Sequence, residues 1–423
     1  KKAFLGDRTK DTDLYFYSLS DYYNKSSGGC LDFSGSWVAP WFKYNKTPSQ
    51  FVNDDSLLGT YTTEDGEVYT YNSSRQWCVI EEAVQAAKVA YEAQRKPGEP
   101  TFAQKFDSNN DGYIDATYCI PSAPIDSDEF WAYTYWYYVR NNNFGASYGN
   151  VGDPVPYVYV WSSYDFFYDA GVTRNGKKAI ETHTNIHEFG HMLGLEDYYN
   201  YDDGIYGGIG SCDMMDYNIG DHNPYSKTLL GWTKPYVVEE SCTIKIKTFQ
   251  ENNDCILVPK KDTWNGSAYD EYIMLQYYTP TGLNEIDANY TLQKDRMPNT
   301  SGIWMYHVDS RLAKAVYNED YSEYVESYTD EIVTDDYTET YLAHSNTPSR
   351  SFNETKHIIT ISAAKTTLSA NRRFFCTDGH VMDKYDLWTT TNYDEAGTPL
   401  NAFGFNNVYK NFKTNEGGRF SYG

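Results

Sequence analysis

Apolar residues after Val79 recur at Ile80, Val84, Ala87 and Tyr91, spacings of four, three and four that line one face of a helix ended by Pro97 and Gly98. A second helical pattern spans residues 179–193, with Ile186, Phe189 and Leu193 on one stripe and Gly194 as its stop. Between them, residues 157–161 read as a strand, buried or at a sheet edge. After Gly231-Trp232-Thr233-Lys234-Pro235 the texture changes to short alternating runs: Ile244 and Ile246 between lysines, then 255–258, 272–275, 303–308 and 357–361. The change sets an expected boundary near residue 235, with an α/β (α+β) region over 1–235 and a β-rich, sandwich-like region over 236–423. Glu251-Asn252-Asn253-Asp254 reads as a hairpin turn flanked by Cys242 and Cys255, which either form a disulfide or stand as separate thiols. Residues 315–342 carry many Glu, Asp and Tyr and no Lys or Arg, the texture of a solvated insertion rather than a functional acidic surface.

The chemistry concentrates in His187-Glu188-Phe189-Gly190-His191-Met192-Leu193-Gly194-Leu195-Glu196-Asp197. Residues four apart share a helix face, so His187 and His191 present two imidazoles to one Zn²⁺ and Glu188 lies beside the water that the metal activates. Gly194 can turn the chain back through a left-handed conformation and bring in Asp197 as a third ligand. Three protein ligands leave one position open, as in a catalytic rather than a structural zinc site. A glutamate ligand on a later helix does not fit, since the glutamate after Glu196 is Glu239. Should Asp197 not bind, Asp202, Asp203 and Asp213 are the replacements. His183 continues the four-residue series but lies a full turn early, which favours a role at the helix start or behind the ligands.

Further on come Cys212-Asp213-Met214-Met215-Asp216-Tyr217, then Asp221-His222-Asn223-Pro224-Tyr225-Ser226-Lys227 and Leu230-Gly231-Trp232. Together with 187–197 these resemble the metzincin clan of zinc peptidases, and within it the immune inhibitor A family of secreted bacterial metallopeptidases. Residues 302–309 and 18–41 resemble that family more loosely. The resemblance implies a metzincin-like catalytic domain in which Met215, with Met214 as the alternative, is the methionine of the turn beneath the metal. It also implies that Tyr217 supports the oxyanion. Many metzincins carry histidine where this chain has Asp197.

Asp107-Ser108-Asn109-Asn110-Asp111-Gly112-Tyr113-Ile114-Asp115 alternates oxygen side chains ahead of a glycine, the pattern of a tight Ca²⁺ loop in which Asp107, Asn109, Asp111, the Tyr113 carbonyl and Asp115 are the ligands. Position twelve is Tyr118 rather than glutamate, which argues against an EF-hand. The alternative is an Asx-rich turn without a metal.

Composition narrows the partners. Lys plus Arg number 35 against 59 Asp plus Glu, a formal charge of −24, so nucleic acid is repelled. No apolar run is long enough for a transmembrane helix, and residues 1–10 lack the apolar core of a signal peptide, which a processed export product would already have lost. Seven scattered cysteines do not make a disulfide scaffold. The expectation is a secreted zinc endopeptidase with a structural Ca²⁺, acting on protein or peptide substrates, host or glycosylated proteins among those compatible. The rival is an extracellular glycan- or protein-binding module with a vestigial zinc site; an intact Glu188 speaks for the enzyme.

Overall fold

A computed structural model describes residues 1–361 apart from 58, 63–67, 72, 126–127, 137–149, 169, 203, 205–207, 261–263, 291–296, 319–322, 334, 336 and 354–355. Cys376, the candidate ligand Asp203 and the expected β-rich residues beyond 361 lie outside the described residues. The chain mixes helix and sheet. It divides into two compact units, one of Lys1–Asp21 and Asp32–Gly194, the other of Tyr22–Leu31 and Leu195–Gly423.

In the first unit the long helix is Ser73–Gln94, with Trp77, Ile80 and Val84 buried at the spacing expected of one apolar face. These side chains pack with Phe51, Phe102, Ile114, Tyr159 and Trp161 into one core. Val158–Trp161 is the central strand of a three-stranded sheet, parallel to Thr117–Cys119 and antiparallel to Tyr133–Trp136. That central place explains why Tyr159 and Val160 are fully buried. Against the Tyr133–Trp136 and Val158–Trp161 strands lies the helix His183–Met192, which carries the H-E-x-x-H motif.

This motif helix begins four residues later than the apolar pattern from Ala179 suggests. The backbone before it is already engaged: Ile180 forms a parallel bridge with Leu14, donating to Asp13 O (2.7 Å) and accepting from Tyr15 N (2.9 Å). Glu181 Oε1 then accepts the amides of Thr182 (2.7 Å) and His183 (2.9 Å), so a buried carboxylate satisfies amides that the first helical turn leaves open.

The second unit is built on a five-stranded sheet in the order Tyr236–Val237, Cys255–Pro259, Glu271–Tyr278, Gly302–Asp309, Ile359–Ile361; the first pair is parallel and the others antiparallel. Tyr272, Met274, Trp304 and Tyr306 from one face pack with Tyr198, Met215, Tyr225 and Phe249. Leu312–Tyr317, Tyr324–Thr329 and Thr338–Leu342 form a separate three-stranded antiparallel sheet, so much of the acidic stretch is strand, with Tyr324–Thr329 largely exposed to solvent.

Two expectations in this half fail. Ile244 and Ile246 lie outside any strand, and no hairpin joins Cys242 to Cys255. The intended turn is instead the short helix Phe249–Asn252, fixed by the fully buried Phe249 ring and closed by Asn253 in the left-handed conformation. Cys242 is an exposed thiol and Cys255 a buried one, not joined to each other, and burial pushes the Cys255 thiol up to about 12.

Candidate metal centre

The motif helix sets the geometry of the first two candidate ligands. His187 and His191 stand one turn apart with rings nearly perpendicular, at 86°, and their Nε2 atoms 3.1 Å from each other. Two nitrogens bound at 2.0–2.1 Å around a tetrahedral zinc stand about 3.3 Å apart, so the pair is already spaced for one ion. The helix runs out at Leu193, and Gly194, at φ +90°, turns the chain as a residue with a β-carbon would not readily do. Ligating atoms of His187, His191 and Asp197 all lie within 4.8 Å of one another, and among the described residues this is the one group of three or more His, Cys, Asp and Glu side chains so placed. Two imidazoles and a carboxylate, mostly buried, are a donor set suited to a divalent transition metal.

Two of the other candidates for third ligand, Asp202 and Asp213, are committed elsewhere. Asp202 accepts from Ser349 N (2.9 Å) and Oγ (2.5 Å). Asp213 is fully buried and accepts from Met215 N (2.7 Å), Asn223 N (2.7 Å) and Asn223 Nδ2 (3.0 Å). Tyr201 donates its hydroxyl to Asp197 Oδ2. Burial, then the Asp197 charge, holds that hydroxyl above its ordinary range, so it stays a donor.

Glu188 is buried on the same helix, and Thr134 from the neighbouring strand donates Oγ to its backbone carbonyl (2.6 Å) and reaches its Oε2 (3.2 Å). His183 does not join the ligands: its ring is bonded through Nδ1 to Glu181 and stacked on Phe16 at 3.7 Å between centroids. Met214 and Met215 are both fully buried in the short helix Met214–Tyr217, and Met215 O accepts Tyr198 N (2.8 Å), which ties this turn to the residue after Asp197. Tyr217 closes that helix, packed against the core of the second unit.

The loop 107–115 is wound around its own side chains. Asp107 accepts Asp111 N (3.0 Å) and Gly112 N (3.0 Å), Asp111 accepts Tyr113 N (2.8 Å), and Asp115 accepts Ser108 N (3.2 Å). Asn110 and Gly112 take positive φ, and Tyr113–Ile114 leaves the loop as a short strand beside Val155–Pro156. Among the described residues, Asp107, Asp111 and Asp115 do not form a close group of the kind that His187, His191 and Asp197 form.

No protein-family model and no curated protein matches this chain. Among the described residues no helix is long and apolar enough to cross a membrane.

Thr134 and Tyr201 touch the site although no motif in the sequence includes them. Tyr201 follows Asp197 by four residues, a spacing that a search for hydroxyl donors near each ligand would have raised. Thr134 comes from a strand 54 residues earlier in the chain, and nothing local marks it.

Proposed function

We propose that the chain is a secreted zinc endopeptidase, with a metzincin-like catalytic region and a β-rich region after it. The observation that carries the reading is the convergence of His187, His191 and Asp197 beside a buried glutamate on the same helix. His187, His191 and Asp197 would hold a zinc ion, whose Lewis acidity would lower the pKa of water and polarise a carbonyl. Glu188 is the proton carrier: its carboxylate takes a proton from the attacking water and hands it to the leaving amine as the C–N bond breaks, leaving one new acid and one new amine. Thr134 fixes where that carboxylate stands. Tyr217 supplies a hydroxyl to the oxyanion where charge develops.

The strand Tyr133–Trp136, paired on one side only among the described residues, offers an edge along which an extended peptide gains backbone hydrogen bonds tolerant of its sequence. Protein substrates follow from that mode of binding. Asp107, Asn109, Asp111, the Tyr113 carbonyl and Asp115 are the oxygen donors for a structural Ca²⁺, which orders a loop and does no chemistry; millimolar external calcium suits such a loop.

Replacing Glu188 by Ala tests the reading. The variant keeps about one zinc per chain by elemental analysis and its circular dichroism, while casein hydrolysis falls by three orders of magnitude or more. Unchanged hydrolysis would refute the mechanism.

A further inference from the structure

The residues after Asp197 are gripped along their length by residues 346–350 of the same compact unit. Asn346, fully buried, donates Nδ2 to Tyr198 O (2.8 Å) and accepts Ile359 N at Oδ1 (3.2 Å), which anchors the segment to the outermost strand of the five-stranded sheet. Thr347 Oγ accepts Tyr201 N (3.1 Å) and donates to Tyr199 O (3.4 Å). Ser349 holds the Asp202 carboxylate through both its amide and its hydroxyl. The Arg350 guanidinium lies 4.2 Å from the centre of the Tyr201 ring, whose hydroxyl reaches Asp197 Oδ2. The fit is close: a β-carbon at Gly208 would stand 2.6 Å from Asn346 Nδ2 and 2.8 Å from Tyr198 O, so only glycine admits the asparagine there.

From this we infer that Tyr201, held by residues 346–350, is a positioning residue for the third metal ligand, and that through it the C-terminal half of the chain sets how tightly the site holds its metal. The inference rests on the reading of His187, His191 and Asp197 as a zinc site. Asp197 lies beyond the glycine turn, where the helix no longer fixes its direction. A carboxylate left to rotate there must be ordered when the ion binds, and that ordering weakens affinity. The Tyr201 hydroxyl, a charge-assisted donor, does the ordering beforehand, and the ring that carries it is kept in place by Arg350 on one face and Thr347 at its backbone.

The test compares zinc dissociation constants, read by competition with a chromophoric chelator, for the wild type, Tyr201→Phe, Arg350→Ala and Arg350→Lys, with Co²⁺ absorption spectra as a second readout. Tyr201→Phe keeps the ring beneath Arg350 and loses only the hydroxyl. It is expected to weaken zinc about 10- to 100-fold and to shift the Co²⁺ bands. Arg350→Ala should move the same way by less, and Arg350→Lys, which keeps a cation over the ring, should recover part of the loss. Melting of the metal-free proteins shows that each variant is folded. Equal zinc affinity in wild type and Tyr201→Phe overturns the inference and leaves the zinc site standing; a wild type that takes up no zinc overturns both.

Discussion

At Asp213 burial and hydrogen bonding oppose each other. The carboxyl is fully buried, and that burial outweighs the opposing donors from Met215 and Asn223, leaving its pKa raised from 3.8 to about 7. Between these values the unfolded chain has released the proton and the folded chain still holds it. The folded state therefore binds more protons, and this group's contribution to stability is complete below about pH 4, falls as pH rises, and is gone above about 7. Urea unfolding of the metal-free protein from pH 4.5 to 7.5 should show that decline, on the order of a few kcal/mol, and Asp213→Asn should flatten it. Parallel curves for the two proteins would remove Asp213 as the source. The same residue marks a limit of reading from sequence. His187, Glu188, His191, Gly194 and Asp197 are legible because a helix period and a glycine turn relate them locally. Asp213 stood as a candidate ligand because sequence carries no record of Asn223 folding back onto it.

Among the elements, the pairing of the motif helix with the strand Tyr133–Trp136 is the one that the proposed peptidase activity would depend on. Thr134 is the tie: one hydroxyl serves the Glu188 carbonyl and its carboxylate, so the helix is located on the edge where an extended substrate would lie. Thr134→Val keeps the β-branched shape and removes the bond. It is expected to lower kcat roughly 10-fold, with zinc content unchanged and KM moved little, and Thr134→Ser should restore most of the rate; a Val variant with wild-type kcat would show that Glu188 needs no such support. Elements were legible where a helix period or a short apolar run stood out, as in Ser73–Gln94 and in the strands Cys255–Pro259 and Gly302–Asp309. They were misread where tertiary contacts overrode a local signal. The bridge of Ile180 to Leu14 took the start of the motif helix, and the buried Phe249 turned an apparent hairpin into a helical turn.

Across the whole molecule the governing quantity is charge. A formal −24 spread over 423 residues makes the folded chain repel itself, and compaction brings those charges closer. Divalent cations that bind only the folded chain offset this at particular places. The loop 107–115 sets three aspartates within nine residues with no basic side chain among them, so Ca²⁺ bound there would relieve local repulsion as well as order the turn. Sodium chloride acts differently, screening all the charges over a Debye length of about 8 Å at physiological strength without choosing among them. The two effects can be separated in the Glu188→Ala protein stripped of metal, where self-digestion is not a concern. Millimolar CaCl₂ at constant ionic strength should raise Tm by an amount that grows with the logarithm of calcium concentration, reaching about 4 kcal/mol of added stability at a thousandfold excess over the dissociation constant. Asp111→Asn removes one charge from the loop and should abolish most of that rise while leaving the calcium-free Tm close to its parent. A parent Tm indifferent to calcium at fixed ionic strength would make 107–115 a self-bonded turn, in which the carboxylates of Asp107, Asp111 and Asp115 serve to accept the loop's own amides.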